Sequence, residues 1–400
     1  MSLPAQLADV TQADIDALIS TGAQEGQQLD FKRDFPAQWS DSAKAKLVAD
    51  VIAFANAGGG DVIYGVDEDT EARASKVVPQ TLANVDQQVR TIQQIAQDQT
   101  EPRVAGVEVR AIPVAVGEVT GHVVVVRIRQ SWAAPHRSRM NNHFHVREGV
   151  RNRPLDVPEV GAMFLRAESL GQKLRDFRSD RLAKIVSGQA PVSLGGNPKL
   201  VVLAIPTQAA VGQAYIDPVP YLRRERKLPT LDKHTSASSI AMNFDGAVAP
   251  LGYSGQPDGY TQQFRQGFFE TVWELAVLNG QTKPGLPGLR YEEFVIFFLE
   301  GVRGQLKASG LSLELAVFVS LLGANETVMH IPSSMGWSWG HENKVFDRQD
   351  ILLPEVLIPA DVSIGKGMRP AFDLMCQAAG AEGSANYGED GEWKKPSAGG

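Results

Sequence analysis

A carboxylate and a lysine two residues apart, Asp30 and Lys32, form the part of the chain that could most directly do chemistry. They lie in residues 28–32, where polar and apolar side chains alternate, which predicts a half-exposed strand with both charges on one face, about 7 Å apart. A carboxylate suits a hard divalent cation, and a lysine neutralises a phosphoryl group or orients the attacking water. The pair therefore fits phosphodiester cleavage, although its commoner meaning is a solvated ion pair worth under about 1 kcal/mol.

A metal ion needs further ligands, and acidic residues elsewhere in this part of the chain are placed to supply them. Glu25 precedes Asp30 by five residues, and a flexible glycine between them would let it fold back toward the same spot. Asp67 ends the next predicted strand and would add a third carboxylate if that strand pairs with the first. The adjacent Glu68 is an equal candidate. Glu25, Asp30 and Asp67 are therefore the candidate ligands of one cation.

Positive charge is concentrated between residues 127 and 153, although the formal net charge of the chain is −7. Glu148 is the only acidic residue in this stretch, and histidines and aromatic residues lie among the arginines. Arginine forks match phosphate oxygens, and aromatic rings offer stacking surfaces for unpaired bases. The cluster predicts binding of a polyanion, and a solvated loop paired with acids of the same chain is an equally weighted alternative. The arginines are Arg127, Arg129, Arg137, Arg139, Arg147, Arg151 and Arg153.

A run of three glycines, residues 58–60, invites a nucleotide-binding interpretation because glycine lets backbone N–H groups approach a phosphate closely. Phosphate loops lead from a strand through glycines into the N-terminus of a helix. Here a predicted helix comes first, so the glycines would meet its electronegative C-terminal end. The order predicts a structural turn and argues against an ATP site.

The elements that must position these residues alternate between helical and strand patterns. Apolar residues at helical spacing predict helices at residues 42–56, 82–97, 157–186, 260–278 and 291–306. Apolar runs bounded by glycine predict strands at residues 61–66, 104–116, 122–128, 200–205 and 311–322.

These patterns predict a mixed α/β chain with two folded domains. The glycine- and proline-rich stretch 187–198 marks the main boundary. The first domain then covers residues 1–188 and ends in a helical extension, and an α+β domain without an assigned role covers 199–379. Residues 380–400 are poor in apolar side chains, which predicts a disordered tail.

Composition sets limits on the class of protein. A length of 400 residues with 43% hydrophobic residues suffices for two or three domains with real cores. The single cysteine, Cys376, excludes a disulfide framework and a cysteine-rich zinc site, and it is typical of a reducing compartment. No apolar stretch is long enough to cross a membrane, and the first residues are acidic where a secretory signal would be basic. We therefore expect a cytoplasmic protein with no membrane partner.

Four segments stand in a specific order: Glu25 with Leu-Asp-Phe-Lys at 29–32, Ala-Phe-Ala-Asn-Ala-Gly-Gly at 53–59, Ile-Tyr-Gly-Val-Asp at 63–67, and Phe-His-Val-Arg-Glu-Gly at 144–149. Together they resemble the Schlafen AlbA-2 domain over about residues 20–155. The resemblance implies a nucleic-acid-binding α/β fold with a mixed sheet and flanking helices. Animal members include metal-dependent ribonucleases that act on transfer and ribosomal RNA.

The resemblance also implies roles for individual residues. The three catalytic carboxylates of the family correspond to Glu25, to Asp30 where the family more often has Glu, and to the acidic turn with Asp67. They would bind Mg²⁺ or Mn²⁺, with Lys32 as a further catalytic residue. The residues expected to hold the nucleic-acid backbone are Arg137, Arg139, Arg147, Arg151 and Arg153.

The leading hypothesis is therefore a metal-dependent endoribonuclease that acts on structured RNA such as transfer RNA, in a bacterial defence role. Family enzymes assemble their groove from two related lobes, and this chain has one copy of the motifs. The resemblance thus implies a homodimer, or a second-half domain in place of the missing lobe. The alternatives are a non-catalytic regulator that binds DNA or RNA and, third, an ATP-binding switch protein.

Overall fold

The computed structural model describes residues 3–4, 6–104, 107–212, 215–231, 239–252, 257–277, 282–288, 290–332 and 341–394. The chain divides into two compact units. The first consists of Met1–Gln172 with Gly310–Ser312, and the second of Lys173–Ser309 with Leu313–Gly400. The mixed α/β fold class predicted from the sequence is confirmed. No helix within the described residues is long and apolar enough to cross a membrane.

The first unit combines helices with a mixed sheet and several short hairpins. Its helices are α1 (Gln12–Ser20), α2 (Asp41–Asn56), α3 (Val85–Asp98) and the first part of α4 (Val157–Val186). Its strands are β1 (Leu29–Lys32), β2 (Gly60–Tyr64), β3 (Val66–Glu68), β4 (Ala74–Val77), β5 (Thr100–Glu101), β6 (Val107–Val116), β7 (Val119–Ile128), β8 (Arg137–Ser138), β9 (His145–Glu148) and β10 (Arg151–Pro154).

Four of these strands form the central sheet in the order β1-β2-β7-β6. β1 runs parallel to β2, and the other neighbours are antiparallel. α2 and α3 pack on one face of the sheet, and α1 with the N-terminal segment covers the other. Because both faces are covered, the inner strands β2 and β7 read as continuous apolar runs rather than alternating ones.

Helix α2 is the element that faces the candidate site. The Ser40 hydroxyl accepts a hydrogen bond from Ala43 N at its start, which satisfies one of the free N–H groups of the first turn. Its apolar stripe, including Leu47 and Val51, is buried in the core. The helix ends at the glycine run, where Gly59 N donates to Phe54 O.

Register on the sheet decides where the charged residues point. Asp30 lies beside Val62 and Lys32 beside Tyr64, so all four share the face that α2 covers. Gly65 then takes a positive φ of 94° and ends the strand. Residues 66–68 therefore continue as the separate strand β3, which pairs with β4 instead of β1.

The second unit contains an eight-stranded sheet in the order β12-β13-β14-β15-β11-β17-β20, with β21 also paired to β17. Its strands are β11 (Lys199–Pro206), β12 (Ala241–Met242), β13 (Gly246–Leu251), β14 (Gly259–Phe264), β15 (Phe269–Glu274), β16 (Gly285–Pro287), β17 (Leu315–Leu322), β18 (Val328–Pro332), β19 (His341–Val345), β20 (Asp350–Leu352) and β21 (Val356–Ile358). Its helices are the rest of α4, α5 (Thr207–Ala210), α6 (Val219–Leu222), α7 (Arg290–Ala308) and α8 (Ile364–Ala378).

The predicted helix at residues 260–278 is wrong, because this segment contains the hairpin of β14 and β15. Both strands are buried on both faces, so apolar residues occur without the alternation that marks a half-exposed strand. Gly267, with a φ of 88°, lies in the turn between them.

The division between the units falls within α4 rather than in the stretch 187–198. The reason is that the second half of α4 packs against the sheet of the second unit through Leu174, Leu182 and Ile185. The helix was predicted correctly at 157–186, but its length alone does not show which core each half joins.

The end of the chain differs from the predicted disordered tail up to residue 394; residues 395–400 lie outside the described part. Glu292 of α7 is fully buried and accepts hydrogen bonds from Asn386 Nδ2 at 2.7 Å and Trp393 Nε1 at 2.9 Å. Tyr387 donates its hydroxyl to Gly365 O at 2.6 Å. A few polar and aromatic side chains thus fix a segment whose average composition suggested mobility.

Candidate functional site

The centre of the candidate site is a buried cluster of charges around Asp30. Asp30 is only 2% exposed, and its carboxylate pairs with Lys32 Nζ at 2.6 Å and with Arg147 Nη1 at 3.0 Å. The predicted pairing of Asp30 with Lys32 on one strand face is therefore observed. The half-exposed setting is not, because Arg147 from a distant part of the sequence covers the carboxylate.

Arg147, one of the arginines predicted to hold the nucleic-acid backbone, lies inside the fold and is only 3% exposed. Its Nε donates to Gly26 O at 3.0 Å and its Nη2 to Leu29 O at 3.2 Å. Its guanidinium also lies 5.0 Å from the centre of the Phe54 ring, a cation–π contact. Its Nη1 also donates to Asn152 Oδ1 at 3.2 Å, so all three nitrogens of the guanidinium have partners within the fold.

Asp50 is a member of this cluster that the sequence analysis missed. It is buried on α2 and accepts a hydrogen bond from Asn152 Nδ2 at 2.5 Å. Burial raises the pKa of Asp50 to about 7, against the attraction of Lys32. Burial lowers the pKa of Lys32, but the charges of Asp50 and Asp30 outweigh it and raise that pKa overall. The sequence did contain one sign of this buried charge, because Asp50 is an acidic residue among the apolar residues of α2.

The raised pKa of Asp50 predicts a pH-dependent stability. The folded protein favours its neutral form, so its contribution is fully present below its ordinary pKa near 3.8 and is lost as pH rises through about 7. We expect Asp50→Asn to reduce this loss by at least about 1 kcal/mol. Urea unfolding at about pH 5 and about pH 8 measures it. Asp34→Asn, which changes an exposed carboxylate, is the control and should leave the wild-type pH dependence intact.

Glu25 folds back toward Asp30, as its spacing suggested, but its carboxylate has a backbone partner. Glu25 Oε1 accepts a hydrogen bond from Phe31 N at 2.5 Å and so satisfies the outer side of β1. Burial, with smaller contributions from the charges of Asp30 and Glu68, raises the pKa of Glu25 to about 7, although the hydrogen bond from Phe31 N and the charge of Lys32 act to lower it. Of the two acids in the turn, Glu68 is thus the one that interacts with Glu25.

Asp67 points into a different set of contacts. Its Oδ2 lies 3.3 Å from Lys76 Nζ on the neighbouring strand β4 and 3.8 Å from Nε of Arg33, the residue that follows β1. Because Gly65 separates β3 from β2, Asp67 is not carried alongside Asp30 by strand pairing. The expected ligand set of Glu25, Asp30 and Asp67 is therefore not assembled.

A metal ion does not fit the acids as they stand. Asp30 is neutralised by two cations, and one oxygen of Glu25 is taken by a backbone N–H. Among the described residues, no group of three or more His, Cys, Asp or Glu side chains is arranged to hold a metal ion.

The arginines of the 127–153 stretch fall into two classes. Arg137 pairs with Glu101 at 2.7 Å, and Arg153 pairs with Glu148 and with Glu159. For these two arginines the alternative stated from the sequence is observed, because their side chains pair with acidic residues of the same chain. Arg127 and Arg129 are likewise paired, with Asp61 and Glu108.

Arg139 and Arg151 are the members of the stretch that are exposed and make no ion pair within the described residues. Exposed, unpaired guanidinium groups are the ones that can exchange water and counterions for phosphate oxygens. The predicted basic surface is thus reduced to these two side chains. Four further cations of the first unit, Lys46, Arg90, Arg103 and Arg166, are also exposed and without an ion pair in the described part.

The buried side chain of Asn56 helps to fix the segment that carries both arginines to α2. Its Nδ2 donates to His136 O and to His145 O, both at 2.9 Å, and its Oδ1 accepts from His136 N at 2.7 Å. The asparagine in the 53–59 motif therefore positions β8 and β9. The sequence analysis placed Asn56 at the end of the predicted helix 42–56 and in the 53–59 motif, but gave its side chain no role.

The glycine run is a structural turn, as its order in the chain predicted. Gly59 has a φ of 74°, and a Cβ there would lie 2.7 Å from Gln130 N and 2.9 Å from Ile128 O. At Gly60 a Cβ would lie 2.5 Å from the Phe54 ring. These glycines let the end of α2 approach β7 closely, and their backbone serves packing.

Comparison with known proteins identifies the region that contains this site. Residues 25–156 match the family model described as Schlafen, AlbA_2. The resemblance stated from the four motifs is thereby confirmed, and the match supports a nucleic-acid-related function. Among curated proteins, none matches this chain.

Two solved structures are similar to parts of the chain. The DIP2311 protein from Corynebacterium diphtheriae shares 19% identity over 36% of this chain and 26% of its own length, with a TM-score of 0.24. The N-terminal domain of a putative ATP-dependent DNA helicase RecG-related protein from Nitrosomonas europaea shares 19% identity over 30% of this chain and 73% of that one, with a TM-score of 0.23. The chain thus spans about a quarter of the first of these proteins.

Proposed function

We propose that this chain, whose residues 25–156 form a Schlafen AlbA_2 domain, binds nucleic acid through that domain in the cytoplasm. One observation carries the proposal. Arg139 and Arg151 are exposed and unpaired within the described residues, on a segment that Asn56 fixes to α2. Two guanidinium groups on a fixed support bind phosphate oxygens with less loss of conformational entropy than groups on a mobile loop.

The buried cluster supports the same function without doing chemistry. A lone carboxylate at Asp30 would repel a phosphate backbone, but Lys32 and Arg147 neutralise it. The side chain of Lys32 remains 37% exposed and adds positive charge beside the surface. In this arrangement Asp30 and Lys32 form an ion pair and the exposed arginines hold the ligand, which is the non-catalytic alternative considered from the sequence.

Binding measurements with matched charge changes test this proposal. We expect Arg139→Gln combined with Arg151→Gln to weaken binding of fluorescent RNA or DNA at least about tenfold, because two phosphate contacts are lost. Fluorescence anisotropy in EDTA measures the affinity. Arg223→Gln combined with Arg224→Gln removes the same charge from exposed positions of the second unit and should have little effect. Equal weakening by both pairs, or none by either, would reject the proposal.

A second candidate is the metal-dependent endoribonuclease acting on transfer RNA, with a role in defence. The observation that favours it is the repulsion among Glu25, Asp30 and Glu68, which helps to raise the pKa of Glu25 to about 7. Acids that repel each other are stabilised by a cation. The contacts of Asp30 with Lys32 and Arg147 would have to open first.

Incubation of the purified chain with transfer RNA, in Mn²⁺ and separately in EDTA, tests this second candidate. Cleavage that requires Mn²⁺ and is lost in Glu25→Gln would support it, provided that Asp34→Asn, a change at an exposed acid, still cleaves. Intact RNA in every reaction, or equal cleavage by wild type and Glu25→Gln, would reject the endoribonuclease and leave nucleic-acid binding as the proposed function.

A further inference from the structure

The strand β6 is an edge of the central sheet in the first unit. It pairs with β7 along its whole length, from Val107 to Val116, and no other strand of the described residues pairs with its outer side. An open edge of this length presents backbone N–H and C=O groups that can template pairing with another strand.

The side chain of Gln12 shows which residues of β6 face outward. Gln12 Nε2 donates to Ala115 O at 2.9 Å, and Ala115 N donates to Gln12 Oε1 at 3.1 Å. In an antiparallel ladder every second residue directs its N–H and C=O away from the neighbouring strand. The outward residues are therefore Ala115, Pro113, Ala111, Val109 and Val107.

The part of this edge that is open to pairing is short, and its open positions lie evenly on both sides of one residue. Gln12 occupies the backbone groups of Ala115, and Pro113 has no N–H to donate. The outward groups of Val107, Val109 and Ala111 have no further hydrogen-bond partner within the described part of the chain. Three bonding positions thus remain, with Val109 at their centre.

We propose that two copies of this chain pair antiparallel through β6, about a two-fold axis at Val109, and join their four-stranded sheets into one. Val109 then faces Val109 of the second copy, and Val107 faces Ala111 of the second copy. Each such pair exchanges two backbone hydrogen bonds, which gives the isologous contact of a closed dimer.

The charges on β6 favour a second copy of the chain over an unrelated strand. Glu108 and Arg110 flank Val109 and point to the same face of the sheet. Within their own chain Glu108 pairs with Arg129 at 2.8 Å and Arg110 Nη1 donates to Leu7 O at 2.7 Å, but both side chains stay partly exposed and have further polar atoms to offer. In the proposed register Glu108 lies directly opposite Arg110 of the second copy, and the reverse pair repeats on the other side of the axis. A two-fold axis at Ala111 would instead place Pro113 at a bonding position. Only the register centred on Val109 joins unlike charges with full backbone pairing of the three open residues.

This surface is separate from the proposed nucleic-acid contacts, because β6 carries neither Arg139 nor Arg151. The pairing nevertheless places two copies of those arginines in one particle. The two proposals can fail independently, since oligomeric state is measured without nucleic acid and the affinity variants do not touch β6.

The first test is the oligomeric state of the full chain and of Val109→Pro. The Val109 N–H is outside the ladder with β7, so a proline there suits an edge strand and should leave the fold intact by circular dichroism. Sedimentation equilibrium over a range of concentrations should show a wild-type dimer and a dissociation constant raised at least about tenfold in the variant, equal to about 1.4 kcal/mol. A monomeric wild type, whose edge would then be open to a strand of another protein, overturns the proposal. So does a folded Val109→Pro that dimerises as tightly as wild type.

A charge-exchange cycle decides the matter if Val109→Pro does not fold. Glu108→Arg and Arg110→Glu should each weaken the dimer by placing like charges opposite each other. Because Glu108 also pairs with Arg129 of its own chain, Glu108→Gln is the control: it loses that pair without adding a like charge and should weaken the dimer less than Glu108→Arg. The double variant restores unlike pairs across the axis and should recover most of the affinity, because the two changes are coupled. A double variant weaker than both single variants would overturn the proposed register.

Discussion

Arg147→Met is expected to lower the free energy of unfolding by about 3 kcal/mol or more, since it leaves a buried carboxylate with one partner fewer. Asp30 would keep only Lys32, and the carbonyl of Gly26 would lose the Arg147 donor, whereas Leu29 O would retain the N–H of Gly26. Methionine fills a similar volume and retains contact with the Phe54 ring, so the loss comes mainly from polar groups. Urea unfolding monitored by circular dichroism measures the change.

Arg151→Met is the matched control, because it removes the same type of side chain from β10, the other strand of the hairpin that carries Arg147. The Arg151 side chain is exposed, so the free energy of unfolding of this variant should stay within about 0.5 kcal/mol of wild type. Its affinity for nucleic acid should fall instead. Equal losses of stability in the two variants would contradict the assignment of Arg147 to the interior and Arg151 to the surface.

Asn56→Ala should lower the free energy of unfolding by at least about 2 kcal/mol, because a buried polar group left without its partner costs about 1–3 kcal/mol. The substitution leaves His136 O, His136 N and His145 O unsatisfied in the interior. Chemical unfolding gives the stability, and amide hydrogen exchange should show the largest gain in exchange at residues 136–147.

Asn141→Ala provides the comparison for Asn56→Ala. Asn141 Oδ1 accepts a hydrogen bond from His143 N at an exposed position, where water can replace it. Its stability should change by less than about 0.5 kcal/mol. If Asn56→Ala were as stable as Asn141→Ala, the segment that carries Arg139 and Arg151 would not depend on the Asn56 side chain, and that basis for a fixed basic surface would be lost.

Local periodicity was sufficient to predict the parts of the site that depend on neighbours in sequence. Two-residue alternation placed Asp30 and Lys32 on one strand face, and the helix-before-glycine order identified the 58–60 turn as structural. The four motifs together were specific enough to identify the family domain over 25–156.

Contacts between distant segments were not predictable in this way. The burial of Asp30 depends on Arg147, which lies more than a hundred residues later in the chain, and neither residue signals the contact alone. The positive φ of Gly65 starts a new strand and turns Asp67 toward Lys76, although its sequence position looked continuous with β2. Tertiary packing also hid the β14–β15 hairpin, because strands buried on both faces lose their period of two.

The most direct test of the proposed function is the salt dependence of RNA binding by wild type and by the Arg139→Gln, Arg151→Gln pair. Each phosphate contact contributes about 0.7–0.9 to the slope of log affinity against log salt concentration. The double variant should therefore have a slope shallower by about 1.4–1.8, whereas the Arg223→Gln, Arg224→Gln control should keep the wild-type slope. Identical slopes in wild type and in the Arg139→Gln, Arg151→Gln pair would contradict binding through these two arginines.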